Sequence, residues 1–399
     1  MQRAFRARRI IPLAGEGPSR TARELFSPPR VHDDAVIVTR GGFVEAVEPY
    51  GHFRRRAATP LTDMGEVTLV PGLVNAHGHL ELAHLTGSTV QGAGFVPWVR
   101  SLLPLATHPL TQDALDAAVR QLADCGTAHV GDVGNRATPQ VAAALAAADI
   151  GATLFCECFG YTLPDPPVSD ALWPDSARAL PPDVFMRQAA LAGHALFSTH
   201  PVTLAVAKRW CSRNGRPFSI HLAEHPDEVE FLTTGKGALA DMLAVRVLPE
   251  GFEAPGVPPV RYAAELGLLD EQTVAVHCTQ CTADDAALLA ASGTWACLCP
   301  RSNAVIGEGA PPVRQLIEAG VGLCCGTDSL ASNHDLDLWN EVRTLRDMAA
   351  LPAAAPLRMA TVNGAAALGL AHLGTLEPGR RAAFALLPDD LSRDIPATA

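Results

Sequence analysis

Short apolar, β-branched runs alternate with alanine- and leucine-rich segments through the middle of the chain. Runs of about four to eight such residues are typical of buried strands, and the longer segments between them favour helices. This alternation predicts parallel strands joined by helices, and eight such strands predict a (β/α)8 TIM barrel of the α/β class. The predicted strands are 69–75, 127–132, 152–158, 189–197, 218–222, 273–277, 295–298 and 322–326.

Both ends of the chain show a different pattern, in which short strands are separated by glycine turns. Residues 35–39 and 43–47 predict two strands around Gly41 and Gly42, and residues 382–387 predict a strand after Gly379. We therefore expect residues 1–67 and 373–399 to pair into one small β-sandwich. It would lie beside a barrel domain formed by residues 68–372.

Composition and charge narrow the class of protein. Of the 399 residues, 48% are hydrophobic and 18% are charged, which allows a large core. The formal net charge of −11 argues against a nucleic-acid partner, which would need a basic surface. No apolar run reaches the ~18 residues of a membrane span, and the first residues do not resemble a signal peptide. We expect a cytoplasmic protein that binds a small molecule and no membrane; a homodimer is left open.

The ten cysteines fall mostly in the apolar runs. A free cysteine in such a run behaves as a small hydrophobic residue, and a core of this size needs no disulfides. We therefore expect free thiols in a reducing compartment.

Polar residues that could carry chemistry follow the predicted strands at their carboxyl ends. In a TIM barrel these ends form the face that carries the active site. Two imidazoles at alternate positions of a strand, as in His77 and His79, point to the same side and can both reach a metal ion. The residues placed at this face are His77, His79, His194, His221, Glu224, His277 and Asp328.

Five sequence motifs carry a resemblance to a known family. Residues 71–80 resemble the opening P-G-[LF]-[IV]-[ND]-x-H-x-H of the amidohydrolase superfamily, and residues 221–224 resemble its H-x-A-E motif. Val276-His277-Cys278 resembles its sixth-strand H-C, and residues 299–303 and 326–329 resemble C-P-x-S-N and G-T-D-S. The motifs occur in family order. Within the superfamily the chain resembles the mononuclear deaminase and chlorohydrolase branch.

The resemblance implies a role for each of these residues. His77, His79, His221 and Asp328 would bind one divalent ion, Zn²⁺ or Fe²⁺, which would activate water. The predicted fourth strand has no lysine of the kind that bridges two ions in binuclear relatives, so a single ion is expected. Glu224 would transfer protons, and His277 would orient the attacking water or stabilise the tetrahedral intermediate. Asp328 could act as a base as well as a ligand.

Further residues would contact the substrate. Trp98 could stack on a ring, and Arg100 or Arg301 could bind a carboxylate. The positions of His200, His225 and His334 relative to the pocket are left open. The expected substrate contacts are Glu81, Trp98, Arg100, His194, Arg301 and Asn303.

The opening motif, followed by Gly-Phe-x-x-Trp at residues 94–98, resembles that of the aminofutalosine deaminases of the menaquinone route. Those enzymes remove the 6-amino group of an adenine whose sugar carries a carboxyphenyl group. Alternatives are an adenosine, adenosylhomocysteine, guanine or pterin deaminase, or a triazine-type chlorohydrolase. A catalytically inactive barrel that serves as a binding partner is the alternative outside the enzymes.

Overall fold

A computed structural model describes residues 1–55 and 59–396. The chain begins with strands that alternate with short turns, as its glycine pattern predicts. They are β1 (Gln2–Ile10), β2 (His32–Arg40), β3 (Phe43–Pro49), β4 (Leu61–Asp63) and β5 (Thr68–Pro71).

The centre of the chain forms a closed ring of parallel strands. Two four-stranded parallel sheets join where Ala195 pairs with His221 and where Gly78 pairs with Asp328. This closure confirms the predicted (β/α)8 barrel. The barrel strands are β6 (Leu73–Gly78), β7 (Thr127–Gly134), β8 (Gly151–Cys158), β9 (Ala189–Gly193), β10 (Phe218–Leu222), β11 (Thr273–His277), β12 (Trp295–Leu298) and β13 (Gly322–Cys325).

The last strand, β14 (Phe384–Leu387), returns to the beginning of the chain. It pairs with β5 in a six-stranded sheet of order β14-β5-β1-β2-β3, in which β4 also pairs with β1. The two chain ends therefore share one sheet, and their assignment to a separate sandwich domain remains a prediction. Residues 56–58 and 397–399 of the predicted sandwich lie outside the described residues.

The first predicted strand, 69–75, is divided in the structure. Its first half is β5 of the terminal sheet, and its second half is β6 of the barrel. The division falls at Gly72, where a β-carbon would lie 2.7 Å from Cβ of Ala128 and 3.2 Å from Cβ of Ala383. The chain thus passes from one sheet to the other at a point too crowded for a side chain, and the barrel begins at Leu73.

Helices connect the barrel strands and cover the outside of the ring. Two segments form short 3₁₀ helices, Leu80–Leu85 and Ser169–Leu172, and Met359–Asn363 forms a π-helical turn. The α-helices are α1 (Ala22–Phe26), α2 (Tyr50–Phe53), α3 (Phe95–Leu105), α4 (Gln112–Asp124), α5 (Thr138–Ala147), α6 (Asp175–Arg178), α7 (Pro182–Gln188), α8 (Pro201–Arg213), α9 (Pro226–Thr234), α10 (Ala238–Ala244), α11 (Pro259–Glu265), α12 (Ala283–Ser292), α13 (Pro300–Ile306), α14 (Val313–Ala319), α15 (Leu338–Ala349), α16 (Ala354–Arg358), α17 (Gly364–Ala367) and α18 (Asp389–Arg393).

The core and the surface agree with the composition. All ten cysteines are buried with free thiols, as expected from their apolar neighbours. No helix in the described part of the chain combines the length and apolar character needed to cross a bilayer.

Candidate active site

Four side chains from three regions of the sequence meet at the carboxyl ends of the barrel strands. Ligand atoms of His77, His79 and His221 all lie within 4.8 Å of one another. The carboxylate oxygen Oδ1 of Asp328 lies 3.6 Å from Nε2 of His77 and 3.5 Å from Nε2 of His79. The structure therefore brings together the four groups that the sequence predicts as metal ligands.

The contacts among these groups fit a bound cation. The Nε2 atoms of His77 and His79 are 3.1 Å apart, close to the roughly 3.3 Å between two nitrogens on one tetrahedral zinc ion. Burial lowers the pKa of His79 to about 3, and it lowers the pKa of His221 well below its usual value. Neutral imidazoles that face each other with unshared electron pairs repel unless a positive charge lies between them. Three imidazoles and one carboxylate are a donor set that suits a first-row divalent ion.

Backbone packing places Asp328 against His77. The Asp328 amide donates to the His77 carbonyl at 3.0 Å, and a β-carbon on Gly326 would lie 2.6 Å from that same oxygen. The Asp328 oxygen Oδ2 accepts hydrogen bonds from the hydroxyls of Ser302 at 2.6 Å and Ser332 at 2.9 Å. These bonds leave Oδ1 directed at the histidines.

Left-handed backbone conformations recur where the barrel strands end. Ala223, His277, Cys278 and Asp328 have φ values of 51°, 74°, 52° and 56°, although none of them is glycine. Such conformations cost of order 1–3 kcal/mol each, and they cluster at functional sites because the surrounding structure must enforce them. Here they turn the chain sharply, so that the side chains face the mouth of the barrel.

Glu224 faces His277 across this mouth. Oε1 of Glu224 lies 3.4 Å from Nε2 of His277, and both side chains are buried. Burial raises the pKa of Glu224 well above its usual value, and the negative charge of Asp328 adds to the effect. Burial lowers the pKa of His277 to about 4. A carboxyl group with a raised pKa can both accept and donate a proton near neutral pH, as general acid–base catalysis requires.

A cavity of about 310 Å³ opens above these residues. The 3₁₀ helix after β6, α3 and the segment after α10 contribute much of its wall, which is largely apolar. Of the residues predicted at this face of the barrel, those that line the cavity are His79, Glu81, Trp98, His194, His221, Glu224, His277 and Asp328.

Three of the expected substrate contacts lie in this wall. Oε2 of Glu81 accepts hydrogen bonds from the amides of Asn135 and Arg136, each at 2.9 Å, so the loop after β7 fixes this carboxylate. The Trp98 indole donates to the Ala331 carbonyl at 3.1 Å, which holds its ring in the wall. The His194 ring lies 2.5 Å from the Ser198 hydroxyl through Nδ1. Their contact with substrate remains a prediction.

The structure places the other three expected contacts away from the cavity, which corrects those expectations. Arg100 is exposed on the outer side of α3. Arg301 is held by Asp335 in a two-bond ion pair of 2.7 and 2.8 Å, so its guanidinium is already neutralised. Asn303 is fully buried, and its Nδ2 lies 3.2 Å from Nδ1 of His277. Asn303 thus contacts His277, and its side chain is not exposed to the cavity.

The structure shows where His200, His225 and His334 lie, which the sequence did not decide. His225 is buried, and its ring stacks on Phe95 with centroids 3.7 Å apart. His200 caps the beginning of α8 by accepting the amide proton of Val202 at 3.1 Å. His334 is exposed in a groove between the barrel and β14. None of the three lines the cavity described above.

Sequence reasoning missed several residues of the cavity. Glu157 lies at the end of β8, where its pKa is raised to about 8 by burial and by the neighbouring Glu81. Its position near the carboxyl end of a predicted strand was a usable signal. Phe159, Met242, Leu243, Arg246 and Val247 also line the cavity, but they lie in loops or at a helix end and show no pattern that would have identified them.

The family of the chain follows from its sequence as a whole. Residues 68–397 match the model of the amidohydrolase family. The chain belongs to the amidohydrolase family. Members of this family are metal-dependent, and this amidohydrolase is a hydrolase that acts on carbon–nitrogen bonds other than peptide bonds.

Curated relatives of this amidohydrolase are deaminases. It is 30% identical over 328 residues to the aminodeoxyfutalosine deaminase of Deinococcus radiodurans, with 77% of this chain and 76% of the relative covered. It is 29% identical over 334 residues to a 5-methylthioadenosine/S-adenosylhomocysteine deaminase of Teredinibacter turnerae, with 79% and 70% covered.

Solved structures show the same fold. An adenosine deaminase from Xanthomonas campestris with bound zinc is 25% identical, has a TM-score of 0.77, and covers 99% of this amidohydrolase and 89% of its own chain. The aminofutalosine deaminase of Helicobacter pylori in complex with methylthio-coformycin is 21% identical, has a TM-score of 0.81, and covers 96% and 91%. The latter similarity concerns the fold alone.

Proposed function

We propose that this amidohydrolase is a hydrolytic deaminase of adenosine-like compounds, and that its substrate is aminodeoxyfutalosine of menaquinone biosynthesis. The observation that carries the proposal is the composition of the cavity. Glu224 and three of the predicted ligands, His79, His221 and Asp328, line it, its wall is largely apolar, and the exposed Arg246 is a cation in that wall. A purine would place its amino group at the base, and an aryl carboxylate on the sugar would reach Arg246.

The apolar wall and Arg246 are arranged for such a substituent. Leu102 and Leu103 of α3 share the cavity with Met242 and Val247 of the α10 segment. The guanidinium of Arg246 makes no hydrogen bond or ion pair within residues 1–55 and 59–396, so it is free to bind an anion. Arg246 thereby takes the place that the sequence assigned to Arg100 or Arg301.

The residues of this chain divide the proposed reaction among them. His77, His79, His221 and Asp328 would hold a divalent ion, whose Lewis acidity would make water nucleophilic near neutral pH. Glu224 takes a proton from the attacking water and delivers it to the ring nitrogen beside the carbon under attack. Glu224 then takes the second proton from the hydroxyl group of the tetrahedral intermediate and passes it to the amino nitrogen. The carbon–nitrogen bond breaks, the carbonyl group forms, and ammonia departs. His277 faces Glu224 and would orient the attacking water or stabilise the tetrahedral intermediate.

A second candidate is the deamination of 5-methylthioadenosine or S-adenosylhomocysteine. The Teredinibacter relative carries that name, and the apolar wall near Met242 and Leu243 would accept a thioether. If the substrate is 5-methylthioadenosine, which lacks a carboxylate, Arg246 has no anionic group to bind.

Ammonia release from the metal-loaded enzyme tests the proposal. We expect kcat/KM to be highest for aminodeoxyfutalosine among aminodeoxyfutalosine, 5-methylthioadenosine and S-adenosylhomocysteine. A preference for either of the other two would replace the proposed substrate, and no release from any of the three would refute deamination of adenosine-like compounds.

Replacing Arg246 tests whether this residue binds the carboxylate of the substrate. We expect Arg246→Met to raise KM for aminodeoxyfutalosine roughly 10-fold, since hydrogen bonds to charged groups contribute about 1.5–3 kcal/mol and Arg246 is partly solvated. Turnover of 5-methylthioadenosine should be unchanged. Arg100→Met is the matched control because Arg100 lies outside the cavity. An equal effect of both variants on both compounds would remove Arg246 from substrate recognition.

A further inference from the structure

The loop that carries Glu224 is short and strained. It follows β10 directly, and Ala223 adopts a left-handed φ of 51°. An alanine in that conformation costs of order 1 kcal/mol or more, so the loop needs partners that hold it. One partner is the turn after β11, because the Gln280 amide donates to the Ala223 carbonyl at 2.8 Å.

A second partner is a buried carboxylate that no step of the proposed reaction uses. Glu228 is fully buried in the first turn of α9, and its Oε2 accepts the Glu224 amide proton at 2.8 Å. Burial raises the pKa of Glu228 to about 8, while the amides of Glu224 and Ala223 act in the opposite direction. The strained turn is therefore bound to this carboxyl group through the Glu224 amide.

His225 also holds Glu228 in place. The Glu228 amide donates to Nδ1 of His225 at 3.1 Å, and the His225 ring stacks on Phe95 of α3. The bond from the Glu228 amide to the His225 side chain is one half of a helix capping box. In a capping box the glutamate side chain would accept the amide proton of the capping residue, whereas here it accepts that of Glu224. The loop is fixed to α9 by its backbone and to the cavity wall by His225.

We propose that Glu228 is a positioning residue, whose carboxylate fixes the backbone of Glu224 and thereby the place of the Glu224 carboxylate opposite His277. The proposal rests on the proposed role of Glu224. Glu228 itself does not line the cavity. A misplacement of about 1 Å in a catalytic group can cost 100-fold in rate, so the loss of this hydrogen bond should act on kcat.

Variants at Glu228 separate positioning from a general role in folding. We expect Glu228→Ala to lower kcat roughly 10- to 100-fold with little change in KM and with full metal content. Glu228→Gln keeps a carbonyl oxygen that can accept the Glu224 amide proton, so it should restore most of kcat. Glu228→Asp keeps the carboxyl group but shortens the side chain, and its kcat should fall between the two. Glu230→Ala, an exposed position on the same helix, is the control.

A double-mutant cycle shows whether Glu228 acts through Glu224. Because Glu228→Ala should matter only when the Glu224 carboxylate is present, it should cost almost nothing in a Glu224→Gln background. Wild-type kcat in Glu228→Ala, full additivity in the cycle, or a Glu228→Gln variant as slow as Glu228→Ala would each overturn the proposal.

Amide hydrogen exchange tests the same contact without substrate. In the metal-loaded protein, the amide of Glu224 should exchange at least about 10-fold faster in Glu228→Ala than in Glu228→Gln. Equal exchange in the two variants would overturn the positioning role whatever the substrate is. A failure of the proposed function would show differently, as wild-type protein that releases no ammonia or as a fully active Glu224→Gln.

Discussion

Replacing Glu224 by Gln is expected to lower kcat at least about 100-fold while the protein keeps its metal. Glutamine matches the size of glutamate and can accept a hydrogen bond, but it cannot take a proton from water or return one to the amine. The Glu224 side chain is buried 3.4 Å from His277, and its pKa is raised by burial, so no solvent group can easily replace it.

The measurement is steady-state ammonia release with metal analysis of the same preparation. Glu230→Gln makes the same chemical change on an exposed part of α9 and should retain wild-type turnover. If Glu224→Gln released ammonia at the wild-type rate, proton transfer would have to be assigned to another group, with Asp328 the first to be examined.

Replacing Asp328 by Asn is expected to weaken metal binding at least about 10-fold and to lower turnover with it. Altering groups that only orient metal ligands already costs about 10- to 100-fold in metal affinity, and Asp328 is the one carboxylate of the predicted ligand set. The change also removes the negative charge beside three imidazoles, two of which are buried. Since bound metal stabilises a folded protein, the variant should gain less in melting temperature when zinc is added.

Elemental analysis after dialysis and thermal melting with and without zinc measure both effects. Asp284→Asn, an exposed aspartate on α12, is the matched control. Wild-type metal content in Asp328→Asn after dialysis would contradict the ligand role.

The barrel could be predicted from sequence because each central strand is a short apolar run between polar ends. Strands β10, β11 and β12 have the predicted bounds for this reason. The division at Gly72 could not be predicted, since it depends on contacts with Ala128 and Ala383, which are distant in sequence. The fourth predicted strand was too long because residues after Gly193 remain apolar after the chain has left the sheet.

The meeting of His77, His79, His221 and Asp328 could also be predicted, since strand ends and motifs mark these residues. The role proposed for Arg246 could not be predicted, because basic residues are common in the sequence and only the fold shows that Arg246 lines the cavity. Arg301 looked suitable in sequence but is neutralised by Asp335, whereas Arg246 has no pattern around it. Asn303, which the sequence predicts as a substrate contact, lies against His277 in the structure.

The barrel is sealed at the same residues that surround the proposed cation. The Asp328 amide bonds to the His77 carbonyl at one seam, and the His221 amide bonds to the His194 carbonyl at the other. An ion bound by His77, Asp328 and His221 would therefore link side chains next to both seams. These residues lie in or just after the first, fifth and eighth strands of the barrel, so the ion would connect all three. Separation of the strands at either seam would disturb the donor set, so we expect the bound ion to resist opening of the ring.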